Sequence, residues 1–357
     1  MNKRRLIIFV LILISLACNP FLQIEDANPP TATPTLSLND TSSATPLSTI
    51  THTATPTRTP TIIPSATTNP FTGLGQIIFL MDYAGKREWY FINATGDGLT
   101  RWSSQIEGIS DIAWSPDGTQ VALVARWDGD DEIYVINNDG TDLTQLTFNS
   151  ASDWHPAWSP DGSQIVFASM RDPVPNYEGP PPEIYVMNAD GTRQTRLTRN
   201  NTSDHSPDWS PDGSKIVFAS FHFSYPSVLI NIMNADGSDQ TELVDTPGGD
   251  SSPKWSPDGT QIAICSQLPG DTGSDIYLMR MDDFSLKQLT NDHIFGRDLS
   301  WSSDGAWIVT SAKQDEGKDL YLISATNPNM APIRLTNSLS DHVWYPIWLP
   351  EGYLSLE

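Results

Sequence analysis

Four histidines, His155, His205, His293 and His342, and a recurring set of acids occupy equivalent connections in this 357-residue chain. Imidazole and carboxylate side chains brought together can hold a divalent metal or pass protons, so these positions come first. Asp153 and Asp204 fall six residues after the threonine that closes a preceding segment, and Asp250 falls six after Val244 at the equivalent place. Glu107 and Asp341 lie within one residue of that register. Converging at one opening, these acids would form an anionic collar for a metal ion, a basic peptide or a cationic ligand. The plainer reading is that each caps a loop by accepting backbone N–H bonds. The histidines stand 3, 4, 8 and 6 residues before the repeat tryptophan that follows, so the spacing itself does not bring them together, and no short-range zinc spacing is present. Asp128, Asp130 and Asp131 could take calcium in a loop, but they miss the helix-loop-helix calcium spacing and read as a solvated acidic turn.

The elements that must position these residues are repeats. Trp114-Ser115-Pro116-Asp117-Gly118 returns at Trp158, Trp209 and Trp255, with weaker copies at Trp301 and Trp348, at intervals of 44, 51, 46, 46 and 47 residues. Ser-Pro-Asp-Gly sets a tight turn, with proline's fixed φ followed by a glycine free to take positive φ. Short apolar runs such as Gln164–Ser169 and Glu183–Asn188, bounded by such turns, read as strands of a four-stranded antiparallel meander. Five units are complete. Residues 76–100 supply a second, third and fourth strand without a first, and the segment around Trp348 supplies a first strand. The expectation is an all-β, six-bladed propeller whose two ends share one blade, which leaves only short, protected sheet edges. The tryptophans are expected to pack between blades.

Three segments precede or make up this architecture. Residues 1–18 read as a signal peptide, with Lys3, Arg4 and Arg5 ahead of an apolar run too short to span a bilayer. It ends in Ser15-Leu16-Ala17-Cys18, which resembles a bacterial lipobox and implies lipidation of Cys18. Residues 19–72, rich in threonine, proline and serine, cannot bury enough apolar surface to offset their ordering entropy and are expected to be a disordered tether. Extended, they would reach on the order of 100 Å. Residues 73–357 form the propeller. They hold 16 basic and 40 acidic residues, a balance that disfavours nucleic acid and anionic lipid headgroups. The only other cysteine, Cys265, has no partner for a disulfide framework and reads as a small packing residue.

In a meander, successive connections alternate ends. The Pro-Asp-Gly and Asp-Gly turns therefore share a uniform face, and the remaining connections share a variable one, the expected recognition face. Trp127, Tyr177, Phe223 and Tyr225 lie in those variable loops and are candidate contacts. No Gly-x-Ser-x-Gly elbow and no phosphate-binding glycine loop occurs.

The unit Asp-x-x-Pro-x-Trp-Ser-Pro-Asp-Gly, then Ile-x-Phe-x-Ser, then Ile-Tyr-x-Met-Asn-x-Asp-Gly and Leu-Thr resembles the WD-like propeller repeat of the TolB C-terminal domain. It is seen in Asp153 to Thr198 and Asp204 to Leu243. The resemblance covers about residues 75–350 and implies a propeller that binds a protein through its channel end. The chain carries a threonine-proline tether where TolB has an α/β domain. The expected function is a lipid-anchored, extracytoplasmic, non-catalytic module that binds a protein, a peptide or a cell-wall component. It would act as a monomer, through the variable loops and through Asp153, Asp204, Asp250, Asp341, Glu107, His155, His205 and His342 at the channel mouth. No cofactor is expected, the alternative being a divalent cation at that mouth. The alternative function is a channel-sited polysaccharide lyase or hydrolase using His155, His205 and His342. It requires those histidines and an acid to converge within ~5 Å on one pocket.

Overall fold

The computed structural model describes residues 71, 73–83, 86–102, 107–172, 181–221, 228–244, 249–267, 270, 273–314, 317–337 and 342–349. The sequence expectations for Cys18, Tyr177, Phe223, Tyr225 and Asp341 fall outside them, as does the side chain of Asp250.

Among the described residues the chain forms six four-stranded antiparallel sheets, and the fold is the expected six-bladed propeller. Blade 1 contains β1 (Gln76–Tyr83), β2 (Lys86–Asn93) and β3 (Thr100–Arg101). Blade 2 runs through β4 (Ile109–Trp114), β5 (Gln120–Ala125), β6 (Glu132–Asn137) and β7 (Thr144–Gln145). Blade 3 is β8 (Asp153–Trp158), β9 (Gln164–Ser169), β10 (Glu183–Asn188) and β11 (Thr195–Arg196). Blade 4 is β12 (Ser203–Trp209), β13 (Lys215–Phe221), β14 (Val228–Asn234) and β15 (Thr241–Val244). Blade 5 is β16 (Gly249–Trp255), β17 (Gln261–Gln267), β18 (Asp275–Arg280) and β19 (Leu286–Gln288). Blade 6 is β20 (Phe295–Trp301), β21 (Trp307–Gln314), β22 (Gly317–Ser324) and β23 (Ile333–Arg334). The last strand, β24 (Val343–Trp348), returns to blade 1 and pairs with β1, Ile77 opposite Trp348 and Met81 opposite Val343.

The repeated turn explains its own recurrence. The Ser115 hydroxyl donates to Asp117 at 2.6 Å and accepts the Gln120 N–H at 2.9 Å, while Gly118 sits at φ 69. Ser159, Ser210, Ser256 and Ser302 repeat the bond to the aspartate two residues on. The serine hydroxyl, more than any other partner, holds Asp212 down to about 2.

Two further devices join the blades. The first is the tryptophan: Trp158 Nε1 donates to Ala113 O and Trp301 Nε1 to Lys254 O, each at 3.1 Å, across to the preceding blade's inner strand. Trp348 Nε1 instead donates to Leu74 O at 2.6 Å, just ahead of β1, and so ties the closing strand to the start of its own blade. The second is packing between sheets. Ala122, Val124, Ile133 and Val135 of blade 2 form one buried cluster with Trp158, Ile165, Phe167 and Tyr185 of blade 3. Fully burying a large apolar side chain contributes about 1.5–3 kcal/mol.

Candidate functional site

The innermost strand of every blade ends on its tryptophan, or on Trp348 in β24, and the residue three positions earlier faces the axis. These residues are Asp111, His155, Ser206, Ser252, Asp298 and Tyr345, and all six line one central cavity of about 340 Å³. Strand alternation alone would not place them there, because a bulge interrupts each pairing. Trp154 is opposite Ala168 but Ala157 is opposite Val166, so two residues of β8 face one of β9. The same shift occurs between His205 and Asp208 and between Ser251 and Lys254. His155, Ser206, Ser252 and Tyr345 take positive φ between 49 and 53 at this point. In each case the next residue is a proline, Pro156, Pro207, Pro253 or Pro346, which lacks an N–H and fits only where the ladder is broken.

This ring is electrostatically unusual. Burial pushes Asp111 up to about 7, with Lys254 pulling the other way and Asp298 adding to the rise. Burial likewise brings Asp298 to about 6, and Lys318, Lys254 and Arg297 oppose the shift. Burial, then the neighbouring His205, pulls His155 down to about 3, and burial, then Arg297, pulls His205 to about 4. His155 Nδ1 accepts the Ser206 N–H at 3.3 Å, so the ring proton of the neutral imidazole sits on Nε2. At neutral pH the ring is a set of neutral donors and acceptors around two carboxylates that resist ionisation. One level further in, Lys254 pairs with Asp208 at 3.2 Å.

Above the ring the channel widens into a mouth cavity of about 430 Å³ on the variable face. Its walls include His155, His205, Gln267, Arg297, Asp298, Lys313, Lys318 and Trp344. Because His155, Ser206, Ser252, Asp298 and Tyr345 line both spaces, mouth and channel are continuous.

Comparison with known proteins decides the family. The family model described as the TolB beta propeller domain matches residues 52–178 and 176–354. The chain belongs to that family. A protein TolB homolog from Chlorobium luteolum is 42% identical over 48 residues, covering 13% of this chain and 11% of that protein. The crystal structure of TolB from Acinetobacter baumannii superposes with a TM-score of 0.64 at 20% identity, covering 78% of this chain and 67% of that one. Oligogalacturonate lyase from Vibrio parahaemolyticus gives 0.52 at 15% identity, covering 72% and 73%. At these identities the structural likenesses carry the fold.

In this TolB-family propeller Asp153, Asp204 and Glu107 are not among the residues lining the mouth cavity. Asp153 and Asp204 have no exposed surface. Asp204 accepts from Ser220 at 2.5 Å, Thr202 at 2.7 Å and Asn200 at 2.9 Å. Asp153 is held by Asn149 at 2.7 Å and by Arg171 at 2.6 Å. Five residues ahead of the tryptophan, beyond the bulge, they point into the blade. Their partners are chiefly side chains, where the plainer reading expected backbone amides. Glu107 is exposed at the outer loop, and its carbonyl receives Trp127 Nε1 at 2.9 Å. Trp127 is 42% exposed and leans on Tyr134, ring centroids 4.4 Å apart.

The histidines separate into one pair and two singles. His155 and His205 are neighbours, ring centroids 6.2 Å apart, and both line the mouth. His293 bonds Asp275 at 2.7 Å, and His342 stacks on Trp344 at 5.0 Å with Asp82 3.5 Å from its Nδ1. The three-histidine convergence required for the polysaccharide-cleaving alternative is therefore not formed. Among the described residues no group of three or more His, Cys, Asp or Glu side chains could hold a metal. In the acidic loop, Asp131 pairs with Arg126 at 2.7 Å and Asp128 accepts from Gln145 at 3.2 Å.

Sequence reasoning missed Asp111, Asp298, Tyr345, Arg297, Lys313 and Lys318. The proline two residues before the tryptophan was the available signal. In four units it marks the bulge and hence the residue aimed at the axis; Asp111 and Asp298, in units without it, gave no such mark.

Proposed function

We propose that this chain is a non-catalytic binding module, held by lipid on Cys18 at the extracytoplasmic side of a bacterial membrane, whose propeller takes a protein or peptide, including one associated with the cell wall. The channel mouth and the variable loops around it are the contact surface, and the module acts as a monomer. One observation carries this reading. Every blade bulges its inner strand beside or just ahead of the residue that aims a polar side chain at one continuous, open channel, and bulges are features that re-aim side chains next to functional sites. The family membership supports the same reading, as does the signal and lipobox sequence ahead of the propeller. The polysaccharide-cleaving alternative finds no support in the arrangement of His155, His205 and His342.

The test is to obstruct the channel without disturbing the fold. Tyr345 shows that a tyrosine is accommodated at φ 50 in this ring, so Ser252→Tyr at φ 49 is a conservative plug. The immobilised full chain would be cross-linked to bound proteins in cell-envelope extract, wild type beside Ser252→Tyr and Ser206→Tyr. Loss of specific bound proteins in both variants, at unchanged melting temperature, is the expected result. An identical set of captured proteins with the channel filled would sink the reading.

A further inference from the structure

The charge at the mouth is opposite in sign to the charge of the chain. Of 20 basic residues against 43 acidic ones, Arg297, Lys313 and Lys318 meet around a single cavity whose one acid among the described residues is Asp298. Lys313 and Lys318 stand directly opposite each other across the β21–β22 hairpin. Like charges in that position destabilise a sheet. Burial, and then Lys313 opposite it, pull Lys318 below the usual lysine range, while Asp298 opposes the shift. Many other cations are matched: Arg87 with Asp82, Arg171 with Asp153, Arg196 with Glu183, Arg334 with Asp319. Among the described residues Arg297, Lys313 and Lys318 have no such ion pair; Asp315 and Glu316, at the hairpin turn, lie outside those residues. Three cations share the single carboxyl of Asp298 among the described residues, and two of them are held in a repulsive register, an excess of positive charge that an anionic ligand would offset.

We infer that the mouth binds the carboxylates of an acidic peptide segment. The inference rests on the binding reading above and gives its ligand a chemistry. Arg297 offers a planar fork for a carboxylate, and the two lysines act as point charges beside it. The ring below supplies neutral hydroxyls from Ser206, Ser252 and Tyr345 for the backbone of an entering strand. A peptide fits better than a uronate sugar, because Trp344, the tryptophan of the mouth, is already covered. Arg87 lies 4.5 Å and Lys318 5.6 Å from the Trp344 ring, His342 stacks on it at 5.0 Å, and Phe295 is buried. The net negative charge of the chain does not prevent capture, since at physiological ionic strength the Debye length is about 8 Å and the local cations dominate at contact.

The experiment measures fluorescence anisotropy of a labelled hexaglutamate peptide on the full chain, with hexalysine and a galacturonate trimer as further probes. Hexaglutamate is expected to bind the wild type and to weaken at least about tenfold in Arg297→Gln/Lys313→Gln/Lys318→Gln, as three partly exposed charges would give. Binding should also fall in about 1 M salt, where the Debye length is about 3 Å. Removing the Lys313–Lys318 repulsion leaves the fold as stable or more so, so equal or higher melting temperature excludes misfolding as the cause. Failure of hexaglutamate to bind the wild type, equal binding by the triple variant, or binding of the galacturonate trimer in its place each overturns the inference. If the channel plugs still abolish protein capture in that case, the binding reading stands and only the ligand chemistry falls.

Discussion

Asp111→Asn should stabilise the protein at alkaline pH and leave it unchanged in acid. The carboxyl of Asp111 accepts the Ile112 N–H at 2.8 Å, a bond the asparagine oxygen can keep, so the substitution removes charge and little else. In the unfolded chain an aspartate titrates near about 3.9; here burial, with repulsion from Asp298 outweighed in part by Lys254, pushes it up to about 7. Between those values the folded state binds more protons than the unfolded one, so stability falls as pH rises through that window. The gap corresponds to about 4 kcal/mol. The residue is half-buried and lines the open channel, where solvent screening cuts the effect to about 2 kcal/mol. Urea unfolding of the full chain at pH 4 and pH 8 reads it directly. The variant should match the wild type at the lower pH and exceed it by about 2 kcal/mol at the higher. Equal stability at both pH values, or a variant weaker at pH 8, would refute the account of a carboxylate ionised at a cost.

The remaining expectations are briefer. Trp301→Phe keeps the ring buried but removes the 3.1 Å bond to Lys254 O, and should cost about 1 kcal/mol in thermal unfolding. Asp204→Ala strands three donors at a fully buried site and should cost about 2–4 kcal/mol. It should nonetheless leave hexaglutamate affinity unchanged in the anisotropy assay once the protein is folded, because its carboxyl does not reach the mouth. Trp348→Ala loses both the packing of the closing strand and its bond to Leu74, with an expected loss of about 3–5 kcal/mol by denaturant titration. Cys18→Ser should move the chain from the membrane to the soluble fraction on cell fractionation; retention at the membrane would remove lipidation from the proposal.

The fold was legible in the residues because the repeat writes it in turn chemistry. Serine, aspartate and glycine of each turn make the same bonds five times over, and the incomplete first and last units announced the shared blade. The site was less legible. Asp153 and Asp204 recur, and recurrence in a repeat follows from what every blade needs, here a buried clasp for the loop behind the inner strand. Glu183 and Asp319 show the same logic at the head of the third strand, where each accepts a threonine hydroxyl, Thr198 at 2.6 Å and Thr336 at 2.8 Å. What lines the axis differs from blade to blade: aspartate, histidine, serine, serine, aspartate, tyrosine. Variation at one register position, invisible as a motif, lets one scaffold present four kinds of side chain at six places. The cations at the mouth come chiefly from one blade, and only the Lys313–Lys318 register brings them face to face.

Joining β24 to β1 has a consequence for the order of assembly. Ile77 and Trp348 lie at opposite ends of the folded region yet are cross-strand partners, and bringing such distant points together costs about 5 kcal/mol of loop-closure entropy. Five blades are contiguous hairpins that can form as the polypeptide is made, whereas blade 1 must wait with an unsatisfied inner edge until the final strand is delivered. A chain delivered N-terminus first would therefore hold an open horseshoe, sticky along β1, and shut only when its last strand arrives. A circular permutant cut between β21 and β22 would transfer that delay from blade 1 to blade 6.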